Sequence, residues 1–160
     1  MDFSIRTIGD QKDFKRLRNF MLSQALWYPN YEKWVEDVCM PDLENGWKTG
    51  IVAYSNGHLV GDLIFQNHKQ LPRTREIKNL RIHPGYRKRD LGHFLLRQAE
   101  EENKEEFDRI IADTDTRSEG VIKFLTICGY RPIMQMPLYC SQNLDIVMEK
   151  EFRPWNMSQY

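Results

Sequence analysis

The stretch Glu76–Gln98, EIKNLRIHPGYRKRDLGHFLLRQ, decides how the rest of the chain is read. It predicts a strand over Ile77–Ile82, a tight turn at Pro84-Gly85, a basic loop at Arg87-Lys88-Arg89 and a helix opening near Asp90. Proline presets the first central dihedral of a turn and glycine can take the positive φ that follows, so a type II turn is expected. Leu91, Phe94, Leu95 and Ala99 fall on one helical face at a 3.6-residue period. The first amides of a helix have no intrahelical partner, and the macrodipole adds roughly half a positive charge there. A basic loop feeding such a terminus is an anion site in outline, and this junction is expected to hold the pyrophosphate of a coenzyme.

The remaining composition sets bounds. At 160 residues the chain is expected to form one domain over 1–151, with a tail at 152–160 that is either ordered or the start of something further. Hydrophobic residues at 41% and charged residues at 29% fit an ordinary soluble globular protein. Zero formal net charge excludes polyanion binding by the whole surface and leaves only local clusters, such as the basic run Lys69–Arg89. Three unevenly spaced cysteines, Cys39, Cys128 and Cys140, argue for reduced thiols in a cytoplasmic protein rather than a disulfide framework or zinc site. No apolar run suggests a signal peptide or membrane span.

In chain order, Phe3 and Ile5 mark a first strand. A helix from Asp10 carries Phe14, Leu17, Met21, Leu22 and Ala25 and is expected to end at Tyr28-Pro29. Asn30 reads as the N-cap of a second helix, with Tyr31, Trp34, Val35 and Val38 on one side, stopped by Pro41. The aromatic segment Tyr28–Trp47 reads either as core or as the lining of a pocket. Ile51–Tyr54 and Leu59–Phe65 are strands joined by Ser55-Asn56-Gly57-His58, and Asn-Gly predicts a hairpin that continues into the strand before Pro84. The acidic run Glu100–Glu106 reads as a solvated face. Phe107–Thr114 is a strand. Ser118 caps a helix bearing Val121, Ile122, Phe124 and Leu125, and Gly129 ends it before a strand at Tyr130. Pro137–Asn143 is a loop and Leu144–Met148 a last strand. The order predicts an α/β (α+β) fold, a mixed, mostly antiparallel sheet of six to seven strands with helices on both faces.

This order, with Ile82-His83-Pro84, then Arg87-Lys88-Arg89-Asp90-Leu91-Gly92, and later Phe124-Leu125-Thr126-Ile127-Cys128-Gly129-Tyr130, resembles the GCN5-related N-acetyltransferase superfamily. The resemblance covers nearly the whole chain. Arg87 and Gly92 match the family's loop pattern, while Asp90 stands where its first glycine normally sits. Gly129-Tyr130 keep the ending of a stretch in which Leu125 replaces the usual tyrosine, thought in much of the family to protonate the departing coenzyme A thiolate.

The resemblance implies acetyl-coenzyme A as co-substrate, a primary amine as acceptor, direct transfer and no metal. Backbone groups of Leu80, Arg81 and Ile82 would pair with the pantetheine arm. Arg87, Lys88, Arg89, Asp90, Leu91, Gly92 and His93 would surround the pyrophosphate, and Ser118 and Phe124 would complete the coenzyme site. Ser118 stands where the family usually has an asparagine. Glu76 occupies the strand position of the base in the histone-acetylating branch; an exposed strand glutamate paired with Arg75 or Lys78 is the alternative. As an N-cap, Asp90 would accept from the amides of Gly92 or His93 and compete with a phosphate. His83 packs or caps, and Cys128, Tyr130 and Tyr139 are open as substitutes for the missing acid. The acceptor is expected near Tyr28–Trp47 and Pro137–Asn143, where Asp37, Asp42 and Glu44 would suit a cation. A homodimer is left open. A catalytically silent acyl-coenzyme A sensor is the alternative to an enzyme, and nucleic-acid binding through Lys69–Arg89 is the weakest reading.

Overall fold

The structure, a computed structural model, describes residues 2–152; the tail expected at 152–160 therefore lies, beyond Phe152, outside the described residues. Seven strands, β1 (Phe3–Thr7), β2 (Thr49–Ser55), β3 (His58–Asn67), β4 (Thr74–Ile82), β5 (Arg109–Asp115), β6 (Arg131–Met136) and β7 (Asp145–Glu151), form one sheet. Its order is β1-β2-β3-β4-β5-β7-β6. The pairs β1/β2, β2/β3, β5/β7 and β6/β7 are antiparallel. By compactness the chain divides within β4 into Met1–Asn67 with Ile77–Glu102, and His68–Glu76 with Asn103–Tyr160.

In the first unit the hairpin forms as its sequence predicts. Asn56 and Gly57 take φ of 49° and 77°, which lets Ser55 face His58 across a two-residue turn. Helix α1 (Gln11–Ser23) starts at Asp10, whose carboxylate accepts from the Asp13 amide at 2.8 Å. It stops at Ser23, short of Tyr28-Pro29. The Arg81 guanidinium donates to the carbonyls of Gln24 (Nε, 2.9 Å) and Ala25 (Nη2, 3.0 Å), so a side chain from β4 caps the helix where local periodicity would have continued it.

The next helix departs further from expectation. Helix α2 (Tyr31–Trp34) runs into a π turn at Val35–Cys39 and on into α3 (Met40–Glu44), so Pro41 does not stop it. Within the π turn the Met40 amide reaches back to the Val35 carbonyl, and proline follows at the start of a new α segment, where a missing N–H costs little. The wide turn also shifts the phase. Tyr31, Val35, Cys39, Met40 and Leu43 are buried against Leu17, Met21, Val52, Tyr54 and Ile64, while Val38 is turned out. Asn30 sits in the left-handed region at φ 60° and makes no side-chain cap.

Helix α4 (Leu91–Glu101) covers the opposite face of the sheet. A Cβ at Gly61 on β3 would lie 3.2 Å from Leu95 Cδ1 and 3.0 Å from Ile82 Cδ1, so glycine admits the close approach of strand and helix. Leu91, Leu95, Leu96 and Ala99 are buried, but Phe94 is 56% exposed and lies off the stripe assigned to it. Glu100 is also buried, so the acidic run is not solvated throughout.

In the second unit β5 and β7 pair from Arg109↔Glu151 to Asp115↔Asp145. β5 starts at Arg109, and the Phe107 ring ahead of it lies 4.0 Å below the Arg75 guanidinium. β6 starts at Arg131 and β7 runs to Glu151, past Met148. Helix α5 (Glu119–Ile127) buries only Leu125; Val121 is exposed and Ile122 and Phe124 are half-buried. Gly129, at φ 92°, ends it as expected, with the Tyr130 amide returning to the Leu125 carbonyl at 2.9 Å.

Candidate coenzyme site

The end of β4 and the start of α4 belong to the first unit and can be built residue by residue. His83 Nδ1 accepts from the Gly85 amide at 3.1 Å, and the Tyr86 amide donates to the His83 carbonyl at 2.8 Å. These bonds wind Pro84–Tyr86 into a 3₁₀ turn. Gly85 is not among the positive-φ residues, so the expected type II turn does not form; the histidine capping expected of His83 does. The positive φ falls three and five residues later instead, at Lys88 (61°) and Asp90 (58°). The family pattern carries glycine at the second of these positions, and aspartate is among the few other residues that enter this region readily.

The Asp90 carboxylate makes no capping bond to α4, so the expected competition for the Gly92 and His93 amides is absent; only its carbonyl is engaged, by the Phe94 amide at 3.1 Å. Arg87, Lys88 and Arg89 are exposed. Arg87 Nε donates to the Ile82 carbonyl at 3.1 Å, and the Arg89 guanidinium lies 5.6 Å from the Tyr86 ring. Leu80, Arg81 and Ile82 are half-buried at the end of β4, and burial lowers the pKa of the Arg81 guanidinium. Beyond this loop the basic run is dispersed: Arg75 is buried, Arg73 pairs with Asp108 at 2.9 Å, and Arg81 is bound to α1.

The second unit holds the other candidates. Glu76 is half-buried near the start of β4. Ser118 sits at the N-cap position of α5 without a side-chain cap bond. The loop before it is pinned by Asp115, whose buried carboxylate accepts from the Arg117 amide, Nε and Nη2 at 2.8–2.9 Å. Arg117 holds the Asp115 carboxyl below the usual carboxylate range. Leu125 is buried and brings no hydroxyl to its position; Tyr130 is buried too, Cys128 half-buried, and Tyr139 exposed.

Two polar clusters in the first unit escaped the sequence reading. Asp13 accepts from Arg6 Nη2 and the Tyr54 hydroxyl, each at 2.7 Å, and the guanidinium pulls its carboxyl down to about 2. Asp62, wholly buried on β3, accepts from Asn79 Nδ2 at 2.7 Å, and Asn79 Oδ1 accepts from the Tyr31 hydroxyl at 3.0 Å. Burial pushes the Asp62 carboxyl up to about 7. The available signal was one aspartate in the apolar run LVGDLIF. Among the described residues no cluster of three or more metal-binding side chains is placed to hold an ion, and no helix is long and apolar enough to cross a membrane.

A mixed, mostly antiparallel seven-stranded sheet with this loop between β4 and α4 is the frame of an acetyltransferase. The acetyltransferase (GNAT) family matches residues 16–130, and the chain belongs to it. Among curated proteins none matches this sequence. Solved structures share the fold. The ribosomal-protein-S18-alanine N-acetyltransferase of Escherichia coli superposes with a TM-score of 0.78 at 15% identity, over 99% of each chain. The PaiA N-acetyltransferase of Thermoplasma acidophilum, solved with coenzyme A, gives 0.72 at 16%, over 95% of this chain and 100% of its own. Arabidopsis thaliana NAA60, solved with a bisubstrate analogue, gives 0.74 at 14%, over 94% and 98%.

Proposed function

We propose that the protein transfers an acetyl group from acetyl-coenzyme A directly to a primary amine. The observation that carries this reading is the loop before α4. Asp90 keeps the left-handed backbone of the family's glycine, its carboxylate leaves the first turn of the helix uncapped, and three cationic side chains flank that turn. Such a terminus suits a pyrophosphate, and the neighbour from Thermoplasma acidophilum was solved with coenzyme A. On this reading Arg87 leaves the Ile82 carbonyl to meet phosphate, Lys88 and Arg89 add charge, and the amides of Leu91, Gly92 and His93 face the anion. Main-chain groups of Leu80, Arg81 and Ile82 receive the pantetheine; a coenzyme role for Ser118 and Phe124 rests on the family resemblance alone.

In the reaction the amine nitrogen attacks the thioester carbonyl, the tetrahedral intermediate expels coenzyme A as thiolate, and the amine proton passes to the Glu76 carboxylate, directly or through water. A base matters because an amine of pKa near 10.4 is only about one part in a thousand neutral at pH 7. An acid matters less. A thiol pKa near 8.5 lets the thiolate leave unaided, and a general acid adds about 10² to 10⁴ in rate, so Leu125 slows the enzyme without silencing it.

The test is thermal denaturation with and without coenzyme A, joined to labelled acetyl transfer onto an amine panel. Ligand at about a hundred times its dissociation constant stabilises the fold by about 2.7 kcal/mol. The paired Arg87→Glu and Lys88→Glu substitutions are expected to abolish that shift. No shift in the unmodified protein overturns the reading. A shift with no transfer to any amine selects the silent sensor instead.

A further inference from the structure

The second unit carries a stretch that the proposed reaction does not use. Between Arg131 and Asp145 the chain has no charged residue, although 29% of its residues are charged. The stretch forms β6 and the loop that returns to β7, and every residue of β6 is exposed. β6 is the last strand of the sheet, so among the described residues nothing pairs with its outer edge. Met134 and Met136 stand opposite Val147 and Asp145 and share one face of the sheet. Beyond β6 the Leu138 amide donates to the Asp145 carboxylate at 3.1 Å, which folds the loop back beside the strand. Ile133, Met134, Met136, Leu138, Tyr139 and Leu144 are each between 39% and 51% exposed. The flanking charges are engaged within the chain: Asp145 is buried, and Arg131 pairs with Glu149 and Glu151 at 3.6 and 3.4 Å.

We propose that this face binds a second copy of the chain, with β6 of one copy set antiparallel beside β6 of the other about a two-fold axis. The area matches that occupant. Six residues of roughly 200 Å², each about half exposed, present on the order of 500 Å² of largely apolar surface. One side of a standard interface takes about 800 Å², a little over half of it apolar. The patch therefore supplies the apolar share of one such side. Natural sheets guard an open edge with charge. Here the guards are a shift of the β7 register between Pro132 and Met134 and two prolines, Pro132 and Pro137, that bring no N–H. They shorten the straight edge to Met134–Met136 without making it polar. In an antiparallel pairing, residues directly opposite each other lie on the same face. Centred on Gln135, the middle of that edge, the pairing meets this condition and sets Met134 against Met136 of the second copy, twice. Flexible thioether chains fill such a contact readily. Each copy's edge is consumed by the other, so the assembly stops at two.

Sedimentation velocity of the full chain from about 1 to 100 µM is expected to show one chain passing to two, since interfaces of this size dissociate in the micromolar range or below. With Met134→Glu and Met136→Glu together, or Met134→Lys and Met136→Lys together, like charges meet across the two-fold axis. Each of these variants is expected to stay a single chain over the whole range. Mixed in equal amounts, the acidic and the basic variant are expected to associate, because opposite charges then face each other; that recovery also establishes that both are folded. Should a charged variant not fold, Met134→Ser with Met136→Ser carries the test and is expected to weaken association at least about tenfold. A single chain at every concentration overturns the proposal, whether the face is then bare, taken by residues 153–160 or kept for another protein. A dimer indifferent to the charges lies on another surface and overturns it too, as does a mixture that fails to associate or an unmodified chain that grows past two copies. No arm uses coenzyme A, so the outcome is independent of the acetyltransferase reading.

Discussion

Asp90→Asn tests the coenzyme site most sharply, because it changes one property of the loop at a time. Asp90 holds φ 58° and ψ 7°, a region that asparagine enters as readily as aspartate, so the backbone is kept while the charge goes. A carboxylate about 4 Å from a phosphate charge costs about 1 kcal/mol in water and several times that when partly desolvated. Removing it is expected to tighten coenzyme A binding at least about fivefold at low ionic strength, where 1.4 kcal/mol corresponds to about tenfold. The gain is expected to shrink towards about 0.5 M salt, where exposed charges are screened within a few ångströms. Melting without ligand is expected to change little, because the carboxylate caps nothing. Asp90→Ala separates charge from backbone: it loses the same carboxylate but strains the left-handed turn, costing about 1 kcal/mol of stability. Isothermal titration at two salt concentrations, with melting curves for each variant, reads all three quantities. An Asp90→Asn protein that binds coenzyme A no more tightly at low salt refutes the placement of the pyrophosphate at this helix terminus.

Glu76→Gln is expected to lower turnover steeply at neutral pH while leaving the coenzyme A melting shift intact; undiminished turnover removes Glu76 from the mechanism. Asp13→Asn is expected to cost about 1.5–3 kcal/mol by weakening the charge-assisted bonds from Arg6. The Asp13 carboxyl lies lower in the folded chain, at about 2, than its ordinary 3.8. Its contribution is therefore complete above the unfolded value and lost as pH falls through the folded one. The stability gap between the unmodified protein and Asp13→Asn in denaturant titrations is expected to close between about pH 4 and pH 2, and a gap independent of pH would show that Asp13 is not ionised in the way described.

The parts of this protein legible in its sequence are those whose physics is local. Asn56-Gly57 forces a hairpin because two successive residues must take positive φ, and Gly129 ends α5 for the same steric reason. The succession of elements around the Pro84 turn follows from such punctuation, as does the basic loop entering α4. What only tertiary contact decided is where those elements stop and which way they face. α1 ends at Ser23 because Arg81, far along the chain, takes the next carbonyls. Pro41 lies inside a continuing helix because a π turn precedes it, and that turn moves Val38 to the surface. Phe94 has the right spacing for burial and is exposed, since α4 presents its Leu91–Leu95–Ala99 side to the sheet. The candidate site divides in the same way. Its cations and glycine pattern could be read directly, whereas the freedom of the Asp90 carboxylate and the burial of Asp62 beneath Asn79 and Tyr31 depend on residues that only folding brings together.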